Sequence, residues 1–418
     1  MSTHDATAAF KHPGVLRFAV GRFLAAMAST AVSVAVGWRL YEKTDSMFAL
    51  GLVGLVEVVP VLGLALPAGI AADRFPRRRV AMAAHLTLAA CSAGLFALSR
   101  FDGPVWAWYA VLLAMGVGLA FRGPSVGSML PQLVPARDFA NANAWVSSTY
   151  ELASISGPAV AGFLIAAVSD AWLAFAFAFA AHCGFVAILF TLPEKPAAFA
   201  GVQRGFKDLL AGWRFVRDTK VFLAAITLDL FAVLLGGAVA LLPVYARDIL
   251  HVGPVGLGWL RAAPSLGAVT MALLQTRLPP WKRPGVVLLF AVAGFGASTV
   301  VFGLSTVMWL SLVALFLSGL FDNVSVVIRS TLEQSLTPDR MRGRVSAIHY
   351  VFIGMSNELG SFESGATAAL VGPMLSVVGG GVGTLVVVAF VALAFPQLRA
   401  LPPLHQLKPL DPDAPPQA

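Results

Sequence analysis

The chain reads as long apolar runs separated by short polar ones. Mostly apolar stretches cover roughly 15–40, 46–71, 78–99, 104–127, 139–168, 171–192, 221–246, 255–276, 285–304, 307–332, 344–371 and 374–396. A helix needs about 20 such residues to cross a bilayer. Inside lipid, only helices and closed barrels satisfy every backbone N–H and C=O. These runs are too long and continuous for barrel strands, so the pattern predicts an all-α membrane protein with twelve transmembrane helices. Composition supports this. Of 418 residues, 58% are hydrophobic and 12% charged, whereas a soluble domain carries about 25% charge. The mean hydropathy is +0.81.

The polar segments alternate in charge. With both termini on one side, 23 of the 29 Lys and Arg fall on segments of that side, while Arg39, Lys43, Arg100 and Arg247 fall opposite and Arg22 and Arg261 lie within spans. Basic residues accumulate on the cytoplasmic side. The termini and the run GIAADRFPRRR at 69–79 are therefore expected inside, in a plasma (inner) membrane. The net charge of +8 belongs to that membrane face, and no basic stripe interleaved with aromatics suggests nucleic acid. No cleavable leader is expected, because Lys11 and Arg17 precede a long span without a small-residue cleavage site. Cys91 and Cys183 fall within spans and give neither a disulfide framework nor metal spacing. No cofactor or metal is expected.

The halves match at an offset of 203 residues. Arg17 pairs with Lys220, Arg74 with Arg277, Pro76 with Pro279, Pro135 with Pro338, Arg137 with Arg340, Gly157 with Gly360, Gly162 with Gly365 and Pro193 with Pro396. The sequence thus divides into a six-helix half at 1–192, a linker at 193–220, a second half at 221–396 and a tail at 397–418. Parallel repeats of this kind place a transport site near the bilayer midplane between the halves. In the linker, Phe206, Leu209, Trp213 and Val216 recur at helical spacing beside Lys207, Arg214 and Arg217. That pattern suggests an amphipathic helix on the inner leaflet; a plain charged linker is the alternative. The tail, rich in Pro and Asp, is expected to be disordered.

Four segments carry a family resemblance: the loop at 69–79, RGPSVGSMLPQL with VPARDFANANA after it, IRSTLEQSLTPDRMRGRVSAI at 328–348, and SNELGSFESG at 356–365. Together they resemble the branch of the major facilitator superfamily that holds the enterobactin exporter and macrolide efflux proteins. The likeness spans about 14–396. One departure is Pro76, which replaces the usual Gly of the loop motif; Pro also closes a tight turn. The resemblance implies a monomeric alternating-access exporter of a siderophore or drug-like molecule. It also implies a gating motif (Gly69, Asp73, Arg74, Arg77, Arg78) whose Asp73 meets the start of the eleventh span near Gly343 and Arg344. A carboxylate at a helix N-terminus contributes about 0.3–2 kcal/mol, enough to bias the inner side toward closure. The repeat keeps Arg277 and Pro279 but has Thr276 where Asp73 stands, so the acid is the asymmetric part of a duplicated loop.

Ionisable groups at membrane depth are functional candidates by default. They are Arg22, Glu57, Arg122, Glu151, Asp229, Arg261, Asp322, Glu358 and Glu363. The third, sixth, ninth and twelfth spans hold none of these, only His85 and His182, which suits packing residues; in the family those spans face lipid. Glu151, Glu358 and Asp229, with Asn357 beside Glu358, are the leading candidates for proton coupling or substrate recognition, since a buried carboxylate exchanges protons near neutral pH. Static salt-bridge partnership with Arg22 or Arg122 is the competing account. Asp229 and Asp322 lie nearer the inner ends of their spans and suit a gate. Glu57 ranks below Glu151 and Glu358, Glu363 lies toward the outer end, and His349 stands at the start of the eleventh span. Gly157, Pro158, Gly162, Gly360 and Gly365 are small positions where helices approach closely. An importer or lysophospholipid flippase of the same fold is the alternative within transport. A membrane-embedded enzyme would need a catalytic constellation, and no H-E-x-x-H, G-x-S-x-G, Walker A or C-x-x-C is present. A receptor would be expected to carry a larger soluble domain.

Overall fold

Each apolar run forms a helix in the computed structural model, which describes residues 8–194, 213–338, 341–407 and 409. The helices are α1 (Pro13–Thr44), α2 (Met47–Gly63, bent by 49° into Ala65–Arg74), α3 (Arg77–Arg100), α4 (Val105–Gly127), α5 (Ala136–Val168) and α6 (Trp172–Thr191). The second set is α7 (Lys220–Leu235, continued by short turns to Ile249), α8 (Gly253–Gln275), α9 (Pro284–Leu304), α10 (Met308–Leu336), α11 (Arg342–Val371) and α12 (Pro373–Ala394). Among the described residues ten spans are long and apolar enough to cross a membrane, and the bent α2 makes eleven. The twelfth is α11, the polar one: it carries Asn357, Glu358 and Glu363 and is still 30 residues long.

Local chemistry explains the irregularities. Pro60 lies inside α2 just before its bend; a proline there removes one N–H and crowds the preceding turn. At the opposite end of α11, Gly372 closes the helix at φ 91°, a conformation that glycine adopts without a Cβ clash. Where α7 gives way at Gly236, a one-turn π segment (Tyr245–Ile249) follows. Buried Tyr245 anchors it by donating its hydroxyl to the Gly303 carbonyl at 2.9 Å.

Packing repeats as the sequence does. In the first half α1 packs on α5 and α6, and α3 on α4 and α6. In the second half α7 packs on α11 and α12, and α9 on α10 and α12. The compact units nevertheless exchange one short segment each. One unit comprises Met1–Asp45, Val56–Gln203 and Val252–Ala262; the other comprises Ser46–Leu55, Arg204–His251 and Ala263–Ala418. The first turns of α2 therefore belong with the second half, and those of α8 with the first.

Two segments differ from expectation. Linker residues 195–212, with Phe206, Lys207 and Leu209, lie outside the described residues. Residues 213–218 are helical, but they do not present their apolar face to lipid. Phe215 and Val216 are buried with Phe222, Ile226, Met341 and Val345, and Trp213 stacks on Phe352 at 5.7 Å. Likewise the tail is packed as far as Leu407. Leu398 and Leu401 are buried against α7, α9 and α12, and a Cβ on Gly285 would stand 1.7 Å from the Leu398 carbonyl oxygen. Four leucines (398, 401, 404, 407) at three-residue spacing outweigh the surrounding prolines. Residues 410–418 lie outside the described residues.

The end of the bundle bearing the Arg74–Arg79 loop is here called the basic end, and the opposite one the far end. At the far end Arg39 bonds Glu42 at 2.9 Å and lies 3.9 Å from Asp170, Lys43 bonds Asp102, and Ser99 donates to Asp170 at 2.6 Å. The Lys43 ammonium, and then Arg39, hold the Asp102 carboxyl below the usual carboxylate range. Arg247, also assigned to this side, lies 3.6 Å from Asp248, so three of the four basic residues assigned there have an acid beside them.

Candidate functional site

The duplicated glycines do duplicated work. Gly157 of α5 abuts α1: a Cβ there would lie 2.0 Å from Thr30 Oγ1 and 3.0 Å from the Met27 carbonyl oxygen. Its counterpart Gly360 of α11 abuts α7, with the Val233 and Leu234 carbonyl oxygens at 2.8 and 3.0 Å. The second pair takes the exchanged segments. Gly162 meets α8 at the Pro254 carbonyl oxygen (2.5 Å), and Gly365 meets α2 at Gly51 Cα (2.6 Å). Pro254 and Gly51 are themselves 203 residues apart, so the two seams are equivalent. Pro158 extends the first, its carbonyl oxygen lying 2.7 Å from where Gly258 would place a Cβ. Gly162 and Gly365 stand near the C-termini of α5 and α11, and each seam is closed backbone to backbone. Gly69 differs: nothing lies within 4 Å of its Cβ position.

A charge cluster occupies the interior of the second half. Arg329 of α10 is ion-paired with Asp229 of α7, and their side chains are 5% and 11% exposed. The same guanidinium donates through Nε to Ser325 Oγ at 3.2 Å. Asp322 and Ser325 line a cavity of about water size with Asp229, Phe295 and Phe321. Toward the basic end, Glu333 of α10 accepts bonds from Ser346 and His349 of α11. Asp322, Ser325, Arg329 and Glu333 fall at i, i+3, i+7 and i+11, one face of α10. Asp322 sits at the middle of α10 rather than nearer its inner end.

Arg329 and Glu333 are the cluster members that sequence reasoning missed. Arg329 lies three residues before the end of the 307–332 stretch and was grouped with the basic residues of the segment that follows, and Glu333 is the first residue beyond the stretch. The spacing Asp322–Arg329–Glu333 was the available signal. His349, noted only for its place at the start of α11, enters the site as Glu333's partner.

The first half holds a second cluster. Arg122 of α4 donates to Ser29 Oγ of α1 at 2.7 Å. Arg22 of α1, Tyr150 of α5 and Glu57 of α2 lie within electrostatic reach of it. Glu57 stands in the α2 segment before the bend, its carbonyl oxygen 2.7 Å from the Cβ position of Gly116 on α4. Arg261 of α8 donates to Ser33 of α1. His85 and His182 pair through Nδ1 at 3.3 Å between α3 and α6, with Phe185 edge-on to His85 at 4.6 Å. This is the packing role expected of them.

Of the three leading acidic candidates only Asp229 joins a cluster. Glu151 is exposed on α5 and has no hydrogen-bond or ion-pair partner among the described residues. Glu358 lies in the α2–α11 seam, its Oε2 3.1 Å from the Cβ position of Gly54. Exposed Asn357 donates to the Ile353 carbonyl oxygen one turn back, and Glu363 accepts from Thr367 at 2.8 Å.

The loop motif divides by role. Arg77 donates to the Ser128 carbonyl oxygen at 2.6 Å, and Arg78 to the Leu192 carbonyl oxygen at 2.6 Å and to Glu194 at 2.9 Å. These two tie the loop to the ends of α4 and α6 in their own half. Arg74 and Asp73 are exposed, and Asp73 has no hydrogen-bond or ion-pair partner among the described residues.

A duplicated twelve-helix bundle with charges inside and glycine seams between helices defines a secondary transporter of the major facilitator class. The chain belongs to that superfamily's family of transmembrane secretion effectors, whose profile matches residues 8–412. It is 27% identical over 398 residues to the enterobactin exporter EntS of Shigella flexneri, covering 93% of each chain. It is also 27% identical over 392 residues to EntS of Escherichia coli strain HS, again covering 93% of each. Among solved structures, an inward-facing, unoccupied bacterial homolog of the human lysosomal transporter Spinster superposes with TM-score 0.74 at 14% identity, covering 95% of this chain and 99% of the other. A POT family transporter in complex with 5-aminolevulinic acid gives 0.73 at 10%, covering 92% and 96%. The protein is thus a multi-pass membrane transporter of a small molecule, not an enzyme.

Proposed function

We propose that this transporter exports a small organic molecule, of siderophore or drug-like size, across the inner membrane in exchange for protons. It works as a monomer by alternating access, with both termini in the cytoplasm and the basic end facing inward. The basic-residue bias supports the orientation, and the enterobactin exporters at 27% identity support the direction. One observation carries the proton coupling: in the second half three carboxylates (Asp229, Asp322, Glu333) face one arginine and one histidine. Uncompensated charge is costly at membrane depth. With Asp229 held by Arg329 and Glu333 by His349, Asp322 is the carboxylate in excess and the one best placed to take up and release a proton. Glu151 and Glu358 are secondary candidates. Everted vesicles offered a siderophore and drug panel in the medium test the reading. Uptake should require an imposed proton gradient and collapse with an uncoupler, and Asp322→Asn should lose that dependence. Uptake indifferent to the gradient would sink the proton step.

Asp73 is the gating member of the loop in this reading, because Arg77 and Arg78 are spent on their own half. Its carboxylate would meet the N-terminus of α11 when the inner side closes, where free N–H groups and the helix dipole favour an anion. Asp73→Asn should raise maleimide labelling of cysteines placed in the inner cavity; unchanged labelling would remove Asp73 from gating.

A further inference from the structure

Among the described residues three shielded arginines have acids bonded to them: Arg329 has Asp229, Arg39 has Glu42, and Arg78 has Glu194, while Arg77 bonds the Ser128 carbonyl oxygen. Arg22 and Arg122 have no bonded acid. Among the described residues Arg22 makes no hydrogen bond or ion pair, and Arg122 makes a single bond, to Ser29. A guanidinium carries five N–H donors in a planar fork, so most of this capacity is uncommitted. Both side chains are partly shielded from water, at a depth where ionisable groups almost always have partners.

The surroundings do not remove the excess charge. Around Arg122 the electrostatically interacting groups are Arg22 on α1, Glu57 on α2 and Tyr150 on α5. The His85–His182 pair between α3 and α6 also lies within reach of it. Tyr150 is the group that Arg22 feels. Two fixed cations thus face one carboxylate, with neutral hydroxyls from Ser29 and Tyr150 beside them. Such a set suits an anion with paired oxygens: each guanidinium can engage two oxygens in parallel, and the hydroxyls can donate to whatever lone pairs remain.

The geometry points to Arg22 and Arg122 as the two arms of a binding site for an organic carboxylate carried as substrate. The inference rests on the transport reading only in taking this cluster as part of the substrate route. Tyr150 and Ser29 orient the ligand, and Glu57 limits the net charge of the empty site to about one cation. A site of this kind favours organic anions and repels lipophilic cations of equal size.

Binding to the purified full-length protein tests this with two probes, 2-naphthoate and tetraphenylphosphonium. The carboxylate should bind, and the phosphonium at least tenfold more weakly. Arg22→Gln and Arg122→Gln should each weaken binding at least tenfold, while Arg22→Lys and Arg122→Lys, which keep the charge, should retain a larger share of it. An unchanged Tm in the lysine variants guards against misfolding. The inference is overturned if 2-naphthoate does not bind the wild type, if the phosphonium binds as tightly, or if the glutamine variants bind like wild type. Arginine-dependent anion binding without gradient-driven transport would instead strike the transport reading and leave this site standing.

Discussion

Arg329→Met is expected to destabilise the detergent-solubilised protein by about 3–5 kcal/mol, the usual cost of removing one partner from a buried pair. The loss reads as a lowered Tm. The magnitude follows from what remains. Asp229 is almost fully enclosed, and the water-sized cavity beside it is shared with Asp322, so the variant leaves two acids without a cation. Asp229→Asn should cost less, because Arg329 keeps its bonds to Ser325 and still has Asp322 nearby. The double variant Asp229→Leu with Arg329→Met should regain most of the loss, since a buried ion pair replaced by apolar side chains of similar volume is often neutral. Equal Tm values for Arg329→Met and wild type would show that the pair is solvated and would remove the cluster's electrostatic constraint. Proton-driven uptake by the double variant separates stability from coupling: if Asp322 carries the proton, uptake survives without the Asp229–Arg329 pair.

That cluster also marks the limit of what could be read from the chain. Long apolar runs announce membrane helices because lipid tolerates nothing else, and every run became a helix. The 203-residue offset predicted more than a duplication, since Gly157 and Gly360 each seat a first helix of their own half. Three things were obscured. The end of an apolar run is not the end of a helix, so Glu333, one residue past the run, and Arg329, one turn before its end, were read with the following segment although α10 continues to Leu336. Composition alone made the tail look loose, while Leu398 and Leu401 were apolar anchors in a proline-rich setting. The third was the partner of each buried charge, which depends on how helices distant in sequence turn toward one another. Asp229 lies 100 residues from Arg329, and no local period connects them.

Gly365→Val and Gly162→Val should prise open the α2–α11 and α5–α8 seams. A Cβ at Gly365 would fall 2.6 Å from both Gly51 Cα and Gly51 N, and one at Gly162 2.5 Å from the Pro254 carbonyl oxygen. These neighbours are backbone atoms, which cannot rotate away as a flexible side chain can. Overpacking of this kind costs about 1–3 kcal/mol. In an alternating-access protein the cost falls on the conformation that needs the close contact, and about 1.4 kcal/mol shifts such an equilibrium tenfold. Ser33, bonded to Arg261 of α8, offers a reporter when replaced by cysteine in a background lacking Cys91 and Cys183. An impermeant maleimide added outside intact cells should label it several-fold faster in either valine variant. Gly69→Ala is the internal control: its Cβ meets nothing within 4 Å, and alanine favours a helix over glycine by about 1 kcal/mol. Labelling in that variant should match wild type. If the seam variants also label at the wild-type rate, the glycines serve packing alone.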